Sequence, residues 1–255
     1  MIDIQHLVTR HGPRLVLDDV GFAARPGRVT AFLGPNGAGK SSTLRILLGL
    51  DRPSAGHALV DGRPYRSLRE PLRTVGSMLD GPGAHRSRRA WDHLAWIARS
   101  NGIPRRRIGE VLEQVGLADA GRVRVGRFSL GMGQRLGIAA ALLGEPPALV
   151  LDEPVNGLDP DGIRWIRHLL RQHADAGGTV LLSSHLMAEV AGLADDLVVI
   201  AGGRVVAAGS LAEVTSGHAD LEDAFFALPA GDAQQPPAGR STGRPGGAAG
   251  PGAVR

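Results

Sequence analysis

The sequence predicts an α/β fold in which a buried, mainly parallel sheet carries helices on its faces. The first observation is a short apolar run, Arg28–Leu33, followed by a glycine-rich turn and an apolar stretch that ends at Leu48. Two further apolar runs, 148–151 and 179–182, show no alternation of polar and apolar residues, and a helical pattern separates them. Strands that are apolar on both faces are typical of parallel sheets covered by helices.

The regions around this core predict two smaller units. Residues 2–5 and 16–22 alternate in hydrophobicity and flank a turn at 11–13, so we expect an N-terminal antiparallel β-subdomain. Residues 87–130 turn helical in pattern, which indicates an inserted helical subdomain at about 81–135. We expect one domain over residues 1–228.

The second half of the predicted core carries its own signal for the start of a helix. Asp159-Pro160 predicts a helix start, because aspartate is a favoured N-cap and proline is tolerated at the first helical position. The remaining predicted elements are helices at 129–143, 186–194 and 221–228, strands at 54–62 and 75–79, and a hairpin over 197–207.

Composition excludes several classes of protein. The chain has 255 residues, no cysteine and a formal charge of +4, so disulfides and thiolate metal sites are excluded. No apolar run reaches the length of a membrane span, and the first residues do not resemble a signal peptide. Because the arginines are spread along the chain, we expect no nucleic-acid partner. Residues 229–255 are almost entirely Gly, Ala, Pro, Gln, Ser and Arg, and we predict a disordered tail there.

The glycine-rich turn predicts a phosphate-binding loop. It fits G-x-x-x-x-G-K-[ST], and its residues are Gly34, Pro35, Asn36, Gly37, Ala38, Gly39, Lys40, Ser41 and Ser42. A loop of this kind turns its backbone N–H groups toward a polyphosphate at a helix N-terminus. Lys40, the only lysine in the chain, is predicted to contact the β- and γ-phosphates, and the Ser41 hydroxyl to bind Mg²⁺. The fold class is therefore an α/β P-loop NTPase core of the RecA-like type.

Two acids follow the buried run 148–151. Asp152 is expected at the magnesium ion held between Ser41 and the phosphates, and Glu153 is expected to orient or deprotonate the attacking water. Alone, Asp-Glu-Pro would indicate only a strand that ends in a turn. The phosphate loop makes the catalytic interpretation the stronger one. His185 ends the neighbouring apolar run through two serines, so it is predicted to reach the same phosphate.

Together these motifs resemble the nucleotide-binding subunit of an ABC transporter over residues 1–228. Phe128–Arg135 is similar to the family signature, with Ser129 and Gly131 matching its serine and second glycine, while Leu130 and Met132 depart from it. Gly157-Leu158-Asp159 matches the family's loop that follows the second of the two acids, Glu153 here. His185 matches the family's switch histidine. Motifs in this order and spacing are very specific for the family.

The resemblance implies a partner subunit and a mode of action. In the family, the signature of one subunit caps the ATP on the phosphate loop of the other, so Ser129, Gly131 and Asp159 are expected at a head-to-tail dimer interface. The implied function is an Mg²⁺-dependent ATPase that drives separate membrane permease subunits from the cytoplasmic face of the membrane. Whether the dimer contains two copies of this chain or a homologous subunit stays open.

Two positions depart from the family pattern. His11 holds the place of the aromatic residue that stacks on adenine, and Asp80 holds the place of a glutamine that ligates Mg²⁺. An acid at this second place resembles bacterial exporter subunits, including antibiotic-resistance ones, which favours export. The alternatives are a P-loop kinase or GTPase, which would need an acceptor site and lid, and a non-transport ABC-type ATPase in a soluble complex.

Overall fold

The computed structural model describes residues 1–79, 81 and 83–227. In these ranges the strands are β1 (Ile2–His11), β2 (Arg14–Ala24), β3 (Arg28–Leu33), β4 (Ala55–Val60), β5 (Val75–Met78), β6 (Ala148–Asp152), β7 (Thr179–Ser184), β8 (Asp196–Ala201) and β9 (Arg204–Ser210). The α-helices are α1 (Lys40–Leu47), α2 (Pro71–Thr74), α3 (Ala90–Ser100), α4 (Arg106–Gln114), α5 (Leu130–Leu142), α6 (Pro160–Asp175), α7 (Met187–Val190), α8 (Leu211–Val214) and α9 (Leu221–Ala227). The predictions for Asp80 and for the tail at 229–255 fall outside the described residues.

The strands form two sheets. The smaller sheet is antiparallel with the order β2-β1-β4, which is the predicted N-terminal β-subdomain with β4 added. The larger sheet has the order β5-β6-β7-β3-β8-β9 and is parallel except for the β8–β9 hairpin at its edge. The predicted α/β class is therefore confirmed.

Apolar residues on both faces of β3 explain why this strand lies inside the sheet. Val29, Ala31 and Leu33 belong to a core shared with the helices, including Leu136 of α5 and Ile166 of α6. Phe32, between them, points to the other face and joins the core formed with α1 and the small sheet, beside Leu44 and Leu17. The larger sheet is thus covered on both faces, as its uninterrupted apolar runs predict.

The order of the central strands brings the functional motifs together. β3 pairs with β7, and β7 pairs with β6, all parallel, so their carboxyl ends lie at one edge. Leu33 stands opposite Ser184, and Asp152 stands opposite Ser183. In open α/β sheets the crevice outside the carboxyl ends of the strands is the usual ligand site.

The first two strands are longer than the sequence predicts. β1 and β2 extend to His11 and Ala24, and their pairing shifts register at several points. His6 and Asp19 have φ values of 51° and 59° within these irregularities, and the His6 Nδ1 atom lies 2.7 Å from Asp19 Oδ1. A β-bulge breaks the two-residue alternation, which is why the pattern reveals only parts of both strands.

The prediction of a helix over 186–194 is wrong in its extent. α7 covers only four residues, Met187–Val190, and hydrogen-bonded turns follow it. Gly192 lies in the segment that does not continue the helix, and glycine is a poor helix former. Among the described residues, no helix is long and apolar enough to cross a membrane.

Candidate functional site

Glycines allow the loop between β3 and α1 to wrap closely. Gly39 has a φ of 114°, and a Cβ atom there would lie 2.5 Å from Leu17 Cδ2. A Cβ atom at Gly34 would overlap the carbonyl oxygen of Ile200. α1 then begins at Lys40 with no side-chain cap and no acid in its first turn. Its first N–H groups therefore lack an internal partner, as an anion-binding helix N-terminus requires.

Lys40 is buried at the centre of this loop, with 6% of its surface exposed. Its Nζ donates hydrogen bonds to the carbonyl oxygens of Gly34 at 2.6 Å and Pro35 at 3.3 Å, and lies 3.9 Å from Glu153 Oε1. Burial lowers the pKa of Lys40, and the nearby carboxylates of Glu153 and Asp152 act in the opposite direction. The cation is thus desolvated at the centre of the glycine-rich loop, where its charge acts more strongly on an anion than it would in water.

Asp152 is almost fully buried at the end of β6. The Ser41 hydroxyl donates to its Oδ2 at 2.8 Å, and the Ser183 hydroxyl donates to its Oδ1. These two bonds hold the carboxylate in one orientation next to the start of α1. A buried carboxylate is tolerated only with such partners or a cation.

Glu153 adopts a backbone conformation that is rare for a residue with a side chain, with φ at 50°. Its N–H group donates to the carbonyl oxygen of Ser183 at 3.2 Å and to the Ser183 hydroxyl at 3.1 Å, which anchors this turn to β7. Gln134 of α5 also donates to the Glu153 carbonyl oxygen, at 3.3 Å. The surrounding contacts therefore impose the conformation, as is common where a side chain must be aimed.

The two carboxylate oxygens of Glu153 have different neighbours. His185 Nδ1 lies 2.5 Å from Oε2, and Asn156 Nδ2 donates to the same oxygen at 3.0 Å. Oε1 faces Lys40 at 3.9 Å. The structure thus brings Glu153 and His185 into direct contact, whereas the sequence predicts only that both reach the same phosphate. The sequence reasoning missed Asn156, although its place three residues after the second acid is a signal for such a contact.

Lys40, Ser41 and Glu153 border a cavity of about 350 Å³. Its walls are formed by His11, Arg14, Val16, Asn36, Gly37, Gly39, Lys40, Ser41, Ser42 and Glu153. His11 therefore lies at the same cavity as the phosphate loop, because the β1–β2 turn approaches it. Gly34, Pro35, Ala38, Asp152 and His185 are not part of this lining. Four of them contact it: Gly34 and Pro35 accept from Lys40, Asp152 accepts from Ser41, and His185 contacts Glu153. Arg14 and Val16 were not singled out from the sequence; their place just after the turn could have pointed to them.

The three residues predicted at a dimer interface do not line the cavity either. Ser129 caps α5 by accepting a hydrogen bond from Met132 N at 3.2 Å, and Asp159 caps α6 by accepting one from Gly162 N at 2.7 Å. A Cβ atom at Gly131 would lie 3.2 Å from the Gly157 carbonyl oxygen, so the two loops pack together. Leu130 between them is 69% exposed.

Comparisons with known proteins agree with this geometry. The family model described as ABC transporter matches residues 17–156. The lantibiotic transport ATP-binding protein SrtF of Streptococcus pyogenes is 37% identical over 225 residues, covering 88% of this chain and 96% of that protein. The bacitracin transport ATP-binding protein BcrA of Bacillus licheniformis is 40% identical over 209 residues, covering 81% of this chain and 68% of that protein.

Solved structures share the fold. The ATP-binding subunit of an ABC transporter superimposes with a TM-score of 0.80 at 28% identity, covering 89% of this chain and 98% of that one. A dimeric ATP-binding cassette in a post-hydrolysis state, bound to ADP and Pi, superimposes with a TM-score of 0.74 at 21% identity, covering 82% of this chain and 98% of that one. This second likeness concerns the fold alone. The phosphate loop, the paired acids and these relatives agree: the chain belongs to the ABC transporter family of ATP-binding ATPases.

Proposed function

We propose that this chain is the motor subunit of an exporter, in which Glu153 is the general base for ATP hydrolysis. The observation that carries the proposal is the arrangement around Glu153. It lines the cavity with Lys40 and the phosphate loop, while His185 and Asn156 fix one of its oxygens. A base held in this way can aim its second oxygen at a water molecule next to the terminal phosphate.

The hydrolytic step uses that second oxygen. Glu153 Oε1 takes a proton from water, whose oxygen attacks the γ-phosphorus, and the bond from the γ-phosphorus to the bridging oxygen breaks to leave ADP and phosphate. Lys40 and the N–H groups of the loop stabilise the negative charge on the phosphate oxygens. His185 orients Glu153 through its contact with Oε2.

The residues at the loop fit a magnesium ion. Ser41 Oγ and Asp152 Oδ2 are 2.8 Å apart and supply the oxygen ligands that Mg²⁺ prefers. Within the described residues no group of three or more histidine, cysteine or acidic side chains could hold a metal by itself. Ser41 and Asp152 would therefore hold the ion together with phosphate oxygens and water. When bound, Mg²⁺ neutralises charge on the β- and γ-phosphates.

His11 is proposed to contact the adenine base. It is exposed at the edge of the cavity, where the β1–β2 turn brings it beside the loop. Its imidazole offers less stacking area than tyrosine or tryptophan, so the base would be held weakly. Arg14, which follows the same turn, adds a cation to this wall of the cavity.

Head-to-tail dimerisation would give Ser129, Gly131 and Asp159 a role. All three lie outside the lining of this chain's own cavity, and Leu130 next to them is mostly exposed. In the proposed dimer this face covers the ATP of a second copy or of a homologous subunit. The Ser129 hydroxyl and the N–H groups at the start of α5 would then contact the γ-phosphate.

The proposal of export rests on the descriptions of two relatives. SrtF and BcrA are described as lantibiotic and bacitracin transport ATP-binding proteins. We therefore propose that integral-membrane permease subunits bind this chain at the cytoplasmic face of the cell membrane and that the cargo is an antimicrobial peptide or a related compound.

Growth of the source organism in the presence of peptide antibiotics tests this proposal. Deletion of the gene should lower tolerance to at least one lantibiotic or to bacitracin, and the wild-type gene, but not Glu153→Gln, should restore it. A tagged protein should purify in detergent with an integral-membrane partner. Unchanged tolerance, together with an active ATPase that purifies only with water-soluble partners, would instead establish the non-transport alternative.

A further inference from the structure

The helix α5 contacts Glu153 through a buried side chain, Gln134. Only 6% of the surface of Gln134 is exposed, and its Nε2 atom donates to the Glu153 carbonyl oxygen at 3.3 Å. The same oxygen accepts from Asn156 N at 3.2 Å, which closes the turn after β6. A carbonyl oxygen has two lone pairs, so one of them is used by the turn itself and the other by α5.

The two sides of Glu153 are held by different elements. Its N–H group donates to the carbonyl oxygen and to the hydroxyl of Ser183 on β7, and its carbonyl oxygen is held by Gln134 on α5. Between these two anchors φ is 50°, a conformation that persists in a residue with a side chain only where the surrounding structure imposes it. The orientation of the Glu153 side chain therefore depends on the contact to α5 as well as on the contact to β7.

Close packing fixes the position of α5 on the rest of the fold. Near the end of the helix, a Cβ atom at Gly76 of β5 would overlap the Ala141 carbonyl oxygen. At its start, a Cβ atom at Gly157 would overlap the side chain of Leu130. Gln134 lies between these two contacts, so its amide is presented to Glu153 from a helix that is held at both ends.

Packing alone does not account for an amide at position 134. The Oε1 atom of Gln134 is buried, and no hydrogen-bond donor of the described residues reaches it. A buried acceptor without a partner costs free energy, whereas an apolar side chain of the same shape costs little or stabilises the fold. Methionine is a good helix former with the same unbranched length. The contact to Glu153 is therefore the feature that explains a glutamine here.

We propose that Gln134 is a positioning residue, which holds the backbone of Glu153 against α5 and thereby aims the carboxylate at the attacking water. This rests on the proposed function, in which Glu153 is the general base. Gln134 is not part of the cavity lining, so it acts through Glu153 and not on the nucleotide. The same helix is capped by Ser129, so the placement of α5 sets both the predicted dimer contact and the aim of the base.

Single-turnover hydrolysis of Mg-ATP by Gln134→Met tests the proposal. The rate should fall about 3- to 10-fold, the effect of one neutral hydrogen bond, because Glu153 is still present but less well aimed. The affinity for a fluorescent ATP analogue should stay at the wild-type value, since Gln134 lies outside the cavity lining. The urea midpoint should stay the same or rise, because the unpartnered acceptor is removed. Gln134→Leu replaces this variant if Gln134→Met lacks the native circular dichroism spectrum.

Thr30→Val is the matched control. Thr30 is fully buried in β3, and its hydroxyl also has no hydrogen-bond partner among the described residues. Its replacement should change the urea midpoint in the same direction and leave hydrolysis unchanged. Equal slowing in Thr30→Val and Gln134→Met would indicate a general effect of core polarity and would overturn the proposal. A folded Gln134→Met protein that hydrolyses ATP at the wild-type rate would overturn it as well.

A double variant with Glu153→Gln separates a positioning role from a structural one. If Gln134 acts through the base, Gln134→Met should cause no further slowing once the base has been removed, so the two changes should not be additive. An equal slowing in both backgrounds would mean that Gln134 supports the site as a whole, and the proposal would be overturned. Hydrolysis by Glu153→Gln alone at the wild-type rate would contradict the assignment of the base in the proposed function. Slow hydrolysis by Glu153→Gln together with an unchanged rate in Gln134→Met would contradict the positioning proposal alone.

Discussion

Replacing Glu153 by glutamine removes a negative charge from the site and leaves the shape of the side chain almost unchanged. The amide oxygen can still accept from Asn156, which donates to Oε2 at 3.0 Å. An amide cannot take a proton from water, however. General bases contribute about 10²- to 10⁴-fold to a rate, which corresponds to roughly 3–5 kcal/mol in the activation barrier. We expect turnover of Mg-ATP to fall by this factor.

Binding should respond in the opposite direction from turnover. Glu153 Oε1 lies 3.9 Å from Lys40 Nζ, so the carboxylate competes with a phosphate for the same cation. Its neutral replacement removes that competition and also removes a charge that repels the phosphate. ATP should therefore bind Glu153→Gln at least as tightly as the wild-type protein, and a closed dimer should accumulate.

The assay combines three measurements on one preparation. Single-turnover hydrolysis gives the chemical step, a fluorescent ATP analogue gives the affinity, and size-exclusion chromatography with Mg-ATP gives the dimer. Glu113→Gln is the matched control, because Glu113 is an exposed acid on α4 that forms no ion pair with the described residues. Hydrolysis by a folded Glu153→Gln protein within about three-fold of the wild-type rate would show that Glu153 is not the base, since a general base contributes at least 10²-fold.

Three further changes test other parts of the site and fold. Lys40→Ala should abolish binding of the fluorescent ATP analogue while circular dichroism stays native; wild-type affinity would contradict the phosphate-loop assignment. His11→Ala should lower ATP affinity by less than the roughly 1–3 kcal/mol of a full stacking contact. The wild-type protein should turn over ATP and GTP at comparable rates. A strong preference for ATP that survives in His11→Ala would refute the contact between His11 and adenine. Asp195→Asn should cost about 1–3 kcal/mol of unfolding free energy in urea at pH 7, because its carboxylate accepts from Val29 N and Arg171, both at 2.8 Å. Burial alone raises the pKa of Asp195, but the hydrogen bonds from Val29 and Arg171 outweigh burial, and the pKa is lowered overall. The stabilisation by this carboxylate is therefore present above the ordinary aspartate pKa and should be lost as the pH falls through the pKa of Asp195 in the folded protein. An equal loss of stability in Asp195→Asn and in the wild-type protein on acidification would contradict this reasoning.

Most of the fold could be predicted because its elements carry strong local signals. The phosphate loop lies between an apolar strand and an apolar helix, and β6 and β7 are apolar on both faces. The irregular parts could not be predicted from periodicity. The bulges at His6 and Asp19 disturb the alternation of β1 and β2, and α7 ends after one turn.

The residues of the candidate site could be predicted from the sequence where they depend on residue type and spacing, and not where they depend on contacts between strands. Lys40, Ser41, Asp152 and Glu153 follow from their motifs. The double role of Ser183 does not, because it arises from strand pairing that places β7 beside β6. Arg14 likewise reaches the cavity only because a turn of the small sheet approaches the phosphate loop.

Ser183 links the two acids of the site. Its hydroxyl donates to Asp152, and its carbonyl oxygen and hydroxyl oxygen both accept from the N–H group of Glu153. Any movement of β7 along β6 would therefore shift the predicted metal ligand and the proposed base together. His185 follows directly after the end of β7 and contacts the carboxylate of Glu153. A partner that displaced this end of β7 would therefore be expected to weaken both the proposed metal binding and the proposed hydrolysis.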